Sequence, residues 1–248
     1  MWHFPTGKSR GFPSTPKGTR VYAVGDIHGE AALLGALLKA IREDAATGRA
    51  TRHVLIFVGD FVDRGPAPRR VVDLVLGAEK TVGFPTVALM GNHEWMMLEF
   101  LERPETAAVW LWNGGVETIE SYVGDAGLVG GWNLDRLSRS LSRALPPEHL
   151  AFLKGLRLSH VEGDYLFVHA GVRPGVPLAG QTPADLMWIR EPFLSSDADF
   201  GYVVVHGHSI VPRPDLRPNR IAIDTGAHAS GRLTCLVLEG VKTRFIHT

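Results

Sequence analysis

Cysteine is almost missing from this chain. Cys235 stands alone among 248 residues, so no intramolecular disulfide can form, and its run LTCLVLEG marks it as a buried small hydrophobe rather than a reactive thiol. Long apolar runs are missing too, since no stretch approaches the roughly 18 residues that span a bilayer. The opening MWHFPTGKSRGFPSTPKGTR carries cations but not the apolar segment of a secretory leader, and its Pro, Gly and Lys/Arg content predicts a loose arm over residues 1–20. Neither sign of charge is in excess: 26 Lys plus Arg against 26 Asp plus Glu give a formal net charge of zero. The basic surplus of a nucleic-acid binder is therefore absent. There is no internal repeat and no Pro/Ser/Gly linker, which predicts one domain over 21–248. These absences point to a cytoplasmic protein with neither nucleic acid nor membrane as its partner.

What is present is a recurring grammar. Short apolar, β-branched runs each lead abruptly into a polar cluster: VYAV (21–24) into GDIHG, HVLIFV (53–58) into GDFVDRG, TVALM (86–90) into GNHE. YLFV (165–168) leads into HAG, YVVV (202–205) into HGHS and IAI (221–223) into DTGA. Near-continuous apolarity is expected of strands buried on both faces. Polar residues at the carboxyl ends of such strands are where α/β sheets assemble their sites. Between the runs, Leu33, Leu34, Leu37, Leu38 and Ile41 predict a helix stopped near Gly48, and Arg69–Leu76 predicts a second. Residues 95–160 read as a mostly helical insertion, including one continuous segment WLWNGGVETIESY.

Asp26 and His28, two apart in extended chain, offer a carboxylate and an imidazole on one side. Asp60 closes the next strand and has two oxygens with which to bridge two ions. Asn92 offers an amide oxygen, and His169 and His208 follow later strands. The expected sorting is Asp26, His28 and Asp60 on one metal, with Asp60, Asn92, His169 and His208 on the other. Carboxylate and imidazole without thiolate favour Mn, Fe or Zn over Ca or Mg. Any single GD or GN pair reads more simply as a turn; it is five such clusters in order that carry the argument. His149 reads as a surface or satisfied core residue, and His206 as a non-ligand.

The ordered set GDIHG, GDFVDRG, GNHE, HAG and GHS resembles the calcineurin-like metallophosphoesterase superfamily, and within it the PPP-type serine/threonine phosphoprotein phosphatases of the bacterial and phage kind. The likeness covers residues 21–238 and extends to GNHEWMM, WLWNGG, MWIRE and IDTGA followed by GRLT. It implies an α/β (α+β by some schemes) four-layer fold, a central β-sandwich of mixed sheets flanked by helices. It also implies two divalent transition-metal ions, Mn foremost in vitro and Fe or Zn as alternatives, whose activated hydroxide attacks phosphorus directly. His93 would be the general acid, with Asp63 hydrogen-bonded to it and keeping its pKa high. Arg64 and Arg190 would grip the phosphate beside Asn92; the plain alternative for Arg190 is an ion pair with Glu191.

Two departures stand out. Met90 occupies the place of an arginine usual before GNHE, and Ile210 stands where phosphodiesterases carry a second histidine, which favours the phosphatase branch. His228 is expected to border the pocket without binding metal. The leading expectation is hydrolysis of phosphomonoesters on proteins or small phosphorylated substrates. Its rival is a dinucleoside polyphosphate hydrolase of the diadenosine tetraphosphatase kind, which shares IDTGA and lacks that arginine; Asp63 and Glu94 match the protein phosphatases better. A third possibility is a metal-binding scaffold without catalysis.

Overall fold

The computed structural model describes residues 12–124 and 133–248. In chain order these are β1 (Thr19–Val24), α1 (Ala31–Ala45), β2 (Arg52–Phe57), α2 (Pro68–Leu76), α3 (Ala78–Val82), β3 (Thr86–Ala88) and α4 (Asn92–Glu102). There follow α5 (Ala107–Trp110), α6 (Val116–Val123), α7 (Leu134–Ala144), α8 (Pro147–Lys154), β4 (Ser159–Glu162), β5 (Tyr165–Val168) and α9 (Pro183–Trp188). The chain ends with β6 (Val203–His206), β7 (Asp215–Leu216), β8 (Arg220–Ala222), α10 (Ala227–Ser230), β9 (Thr234–Glu239) and β10 (Lys242–His247).

The strands form two mixed sheets of five, ordered β10-β9-β1-β2-β3 and β4-β5-β6-β8-β7. Period-two alternation decides what each face meets. On β1, Val21 and Ala23 point with Ile56, Val58 and Leu236 into a core shared with Tyr165, Phe167, Val205 and Ile223 of the other sheet. The intervening Tyr22 and Val24 face the helices, packing with Leu34, Leu37, Leu38 and Ile41 of α1 and with Phe100 and Trp110 of the helical block. The outer face of the second sheet (Leu166, Val168, Val204) packs on Leu186, Ile189 and Phe193. Helices, sheet, sheet and a thinner outer layer make up the sandwich.

β1, β2 and β3 run parallel, as do β5, β6 and β8, so the polar clusters that follow them gather at one edge of the sandwich. Several local expectations need correcting. The loose arm is too long: Thr15 is buried, its amide donates to Gly240 O, and the amide of Ser14 donates to the Asp164 carboxylate at 2.9 Å. Residues 12–20 are thus tied to the body, while 1–11 lie outside the described residues. β3 stops at Ala88 because Met90 N–H turns to Arg157 O instead of β2. The segment WLWNGGVETIESY is not one helix, for Gly114 takes φ 102° between α5 and α6. β9 and β10, a hairpin continuing the first sheet, went unread as strands.

Candidate active site

Five residues other than glycine have left-handed backbone among those described: His28 (φ 45°), Asp60 (54°), Asp63 (72°), Arg64 (67°) and His208 (61°). Every one is a residue that the motifs single out. Such conformations cost about 1–2 kcal/mol each for ordinary side chains, and they persist only where the surroundings over-determine them.

The surroundings do so through hydrogen bonds to the loop backbones. The Asp60 carbonyl accepts from the amides of Ile27 (3.0 Å) and His28 (2.9 Å), fastening the loop after β1 to the loop after β2. Glu94, fully buried on α4, accepts from the amides of Asp60 (2.9 Å), Phe61 (2.7 Å), Val62 (3.2 Å) and Gly91 (3.0 Å). One carboxylate therefore holds the Asp60 turn and the start of its own helix. Close approach explains two glycines: a methyl group at Gly207 would sit on the Asp26 carboxylate, and one at Gly91 on that of Asp60.

Two clusters of ligand-type atoms result, His28–Asp60–His93 and Asp60–His169–His208, and Asp60 is common to both. Asn92 joins the second, its Oδ1 lying 2.8 Å from His169 Nε2 and 2.9 Å from His208 Nδ1. Asp26 belongs to neither group. Its Oδ2 accepts from the His208 amide at 2.8 Å, its Oδ1 is buried without a partner, and Asp224 lies beside it. Burial, then Asp224 and Asp60, hold the Asp26 carboxyl well above the ordinary aspartate range, and Asp224 is pushed up to about 6.

The donor set fits divalent cations. His28 Nδ1–H donates to Val62 O and His169 Nδ1–H to Val58 O, both at 3.0 Å, so each ring turns an Nε2 lone pair toward Asp60 at 3.4 Å. Burial lowers His28 well below the ordinary histidine value, His169 to about 3 and His208 to about 2, which keeps the rings neutral. Buried lone pairs then face carboxylate oxygens, an arrangement that a positive ion relieves.

His93 and Asp63 pair at 2.6 Å between Nδ1 and Oδ2. The expectation of a raised His93 pKa is not met: burial lowers it first, with Asp60 pulling the other way. Burial pushes Asp63 up to about 8, opposed by donors from Thr118 and Trp110. Arg64, half-buried, places Nη2 3.4 Å from His93 Nε2. Arg190 does not pair with Glu191; it donates to Ser209 Oγ (3.0 Å) and to His208 O (3.2 Å), and so lies beside the second cluster.

Three further histidines, His149, His206 and His228, join neither cluster. His149 is a satisfied core residue between Tyr122 OH (2.9 Å) and Asp73 (3.0 Å). His206 is buried against Phe193, away from the clusters, and His228 meets His28 edge to face with centroids 5.1 Å apart. Met90 is buried yet joins none of the three apolar clusters. Sequence reading missed the part played by Glu94's four amide bonds and by Trp110 and Thr118. The only signal for the last two was the WLWNGGVET string itself.

A family model described as calcineurin-like phosphoesterase matches residues 19–231. The chain is 30% identical over 155 residues to the symmetrical bis(5'-nucleosyl)-tetraphosphatase of Aromatoleum aromaticum, a match covering 62% of this chain and 45% of that relative. It thus spans less than half the length of that protein. Serine/threonine-protein phosphatase 1 of Salmonella typhimurium is 27% identical over 226 residues, covering 86% of this chain and 89% of the relative. Among solved structures, one assigned as a diadenosine tetraphosphatase superposes with TM-score 0.63 at 22% identity, covering 94% of this chain and 98% of that one. A cold-active protein-tyrosine phosphatase of a Shewanella species superposes at 0.55 with 16% identity, covering 98% and 86%. At those identities the likeness is one of fold.

Proposed function

The chain belongs to the calcineurin-like phosphoesterase family, and from that premise we propose that it is a dimetal phosphomonoesterase acting on phosphorylated proteins. The observation that carries the reading is the buried His93–Asp63 pair set against two clusters that share Asp60. A proton donor is needed where the leaving group is a poor one, as from phosphoserine or phosphothreonine. The near full-length match to a serine/threonine-protein phosphatase supports the same choice.

Asp26, His28 and Asp60 would hold one ion, and Asp60, Asn92, His169 and His208 the other. Two divalent ions bound there would polarise phosphate oxygens and acidify water for attack on phosphorus. Mn, Zn or Fe suits these ligands. Arg64 and Arg190 would grip the phosphate oxygens with planar forks. Asp63 accepts from Nδ1–H and so fixes the ring of His93, leaving Nε2 facing the site. Once phosphate draws Arg64 away from it, Nε2 is free to carry the proton that the departing alkoxide takes. A reducing, cytoplasmic setting suits the buried free thiol of Cys235, and no helix among the described residues is long and apolar enough to cross a membrane.

A second reading is hydrolysis of dinucleoside polyphosphates. It is favoured by Met90 in place of a phosphate-gripping arginine and by the 30% identity to a tetraphosphatase. A panel decides: phosphoserine peptide, p-nitrophenyl phosphate and diadenosine tetraphosphate, each with Mn²⁺, Zn²⁺ and Fe²⁺ and after chelation. The phosphopeptide should be turned over fastest and only with metal. A faster rate on diadenosine tetraphosphate would move the assignment to the second reading. No turnover of p-nitrophenyl phosphate with any metal would leave a binding scaffold.

A further inference from the structure

The helical block over the site reaches into it at one point. Asp63 is fully buried, and two side chains of that block aim donors at its carboxylate: Trp110 Nε1–H, at 2.9 Å from Oδ2 and 3.2 Å from Oδ1, and Thr118 Oγ1–H, at 2.6 Å from Oδ1. The direction of the second bond is fixed, because the same hydroxyl accepts from the Asp63 amide at 2.9 Å. An indole N–H can only donate. His93 Nδ1 supplies the third donor, at 2.6 Å from Oδ2. Both residues are themselves buried, Trp110 as the last residue of α5 and Thr118 in the first turn of α6. The Trp110 ring also packs on Phe100, 5.0 Å between centroids, and Phe100 lies on α4, the helix that begins with Asn92 and His93. Between the two donors the carbonyl of Gly114 accepts the Arg64 amide at 3.2 Å.

We infer that Trp110 and Thr118 are positioning residues for proton delivery: they fix the plane of the Asp63 carboxylate, and through it the ring of His93. Three donors around one carboxylate leave it a single orientation, in which Oδ2 meets Nδ1. Without the Thr118 hydroxyl or the indole N–H, the carboxylate is free to rotate and the imidazole can turn with it. Asp63 and Arg64 are consecutive left-handed residues, and the block bonds the backbone amide of each. The turn that presents both therefore depends on Thr118 and Gly114 of the helical block, far along the chain.

The inference rests on His93 acting as the acid, so it is tested by two independent measurements on the full chain. The first compares turnover of a phosphoserine peptide with that of p-nitrophenyl phosphate, whose leaving group needs no proton, in the Mn²⁺-loaded protein. Thr118→Val, which keeps shape and loses the hydroxyl, and Trp110→Phe, which keeps a ring against Phe100, should slow the peptide about 10–100-fold, as loss of an orienting outer partner does. They should change p-nitrophenyl phosphate less than about threefold. Thr118→Ser should restore the peptide rate. The second measurement is proton NMR of the Zn²⁺-loaded protein, where a low-field His93 Nδ1 proton, assigned by its loss in His93→Asn, should move or vanish in Thr118→Val and return in Thr118→Ser. If Thr118→Val does not fold, Trp110→Phe carries both comparisons. Equal losses on the two substrates, or an unmoved Nδ1 proton, would overturn the positioning role. A wild-type protein that turns over neither ester would instead overturn the phosphatase reading, with the NMR comparison still deciding this one.

Discussion

β1 has charged groups buried at both ends, and the two ends treat them in opposite ways. At its start Arg20 is 4% exposed and fully engaged, donating to Glu239 at 2.7 Å, to the Asp44 carboxylate at 3.1 Å and to the Asp44 carbonyl at 2.9 Å, with Tyr22 closing the ring onto Asp44. At its finish Asp26 is 2% exposed with one oxygen unpartnered, and lone pairs of His28 and His169 face Asp60. Burial of charge is expensive at either end. The first end offsets that cost within the chain; the second does not. On β1 the satisfied end is structural and the unsatisfied end belongs to the candidate site.

The sharpest way to break this comparison is at the shared carboxylate. Asp60→Asn should abolish turnover of every phosphoester and empty both metal positions in elemental analysis. In the chelated protein it should leave the melting temperature level or raise it, because an uncompensated buried charge is gone. Retention of both metals at a normal rate would refute the bridging role.

His93→Asn comes next. It should slow an alkyl phosphate by about 10²–10⁴-fold and p-nitrophenyl phosphate far less. Equal losses would make His93 an electrostatic group rather than a proton donor. At the satisfied end, Arg20→Ala should destabilise by about 3 kcal/mol, at the low end for breaking a buried pair because Glu239 and Asp44 keep partial contact with water. Denaturant melts measure this, and kcat of the folded fraction should stay unchanged. A fall in kcat would mean that the two ends are coupled.

His206 sharpens the comparison within the second sheet, since burial lowers it to about 4 with one ring nitrogen unpartnered, yet it joins neither cluster. A histidine whose folded pKa is depressed contributes stability above its ordinary value, and that stability is lost as pH falls. From pH 7.5 to 5 the loss amounts to about 2 kcal/mol. His206→Asn should therefore lose less stability than wild type over that interval; parallel curves would show that His206 does not titrate with unfolding. The smallest effect expected is at Met90. If the side chain borders the phosphate, Met90→Arg should improve kcat/KM on simple phosphomonoesters about tenfold. If it is core, the melting temperature should fall with no kinetic gain.

Most of the candidate site could be read from the sequence because each candidate ligand lies within a few residues of the end of an apolar run, and parallel strands bring such positions to one edge. Asp60, the residue shared by the two clusters, was readable in this way. Asp26 was readable as a site residue, but not the close approach of the His208 loop to it, which Gly207 allows. For Trp110 and Thr118 the string WLWNGGVET gave a place but no role, since what defines them is a carboxylate far away in sequence and a kink at Gly114 that a helical pattern does not reveal. The ordering of residues 12–20 was equally hidden: Pro, Gly and Lys suggest a loose arm, but Thr15 and Ser14 find partners on the β9–β10 turn and beside β5.

The five left-handed residues have a bearing on how this protein would respond to selection. Glycine at those positions would release backbone strain, although at Asp63 it would also leave the buried donors of Trp110 and Thr118 unpartnered, so some substitutions that ease the backbone are ones that remove residues of the candidate site. A laboratory screen scored on heat resistance alone would be expected to drift through His28 and His208 toward a tougher and inert molecule. An alternating screen, scored first on turnover and then on heat, would have to find its gains at the Arg20 end of the sandwich, where the backbone is already at rest.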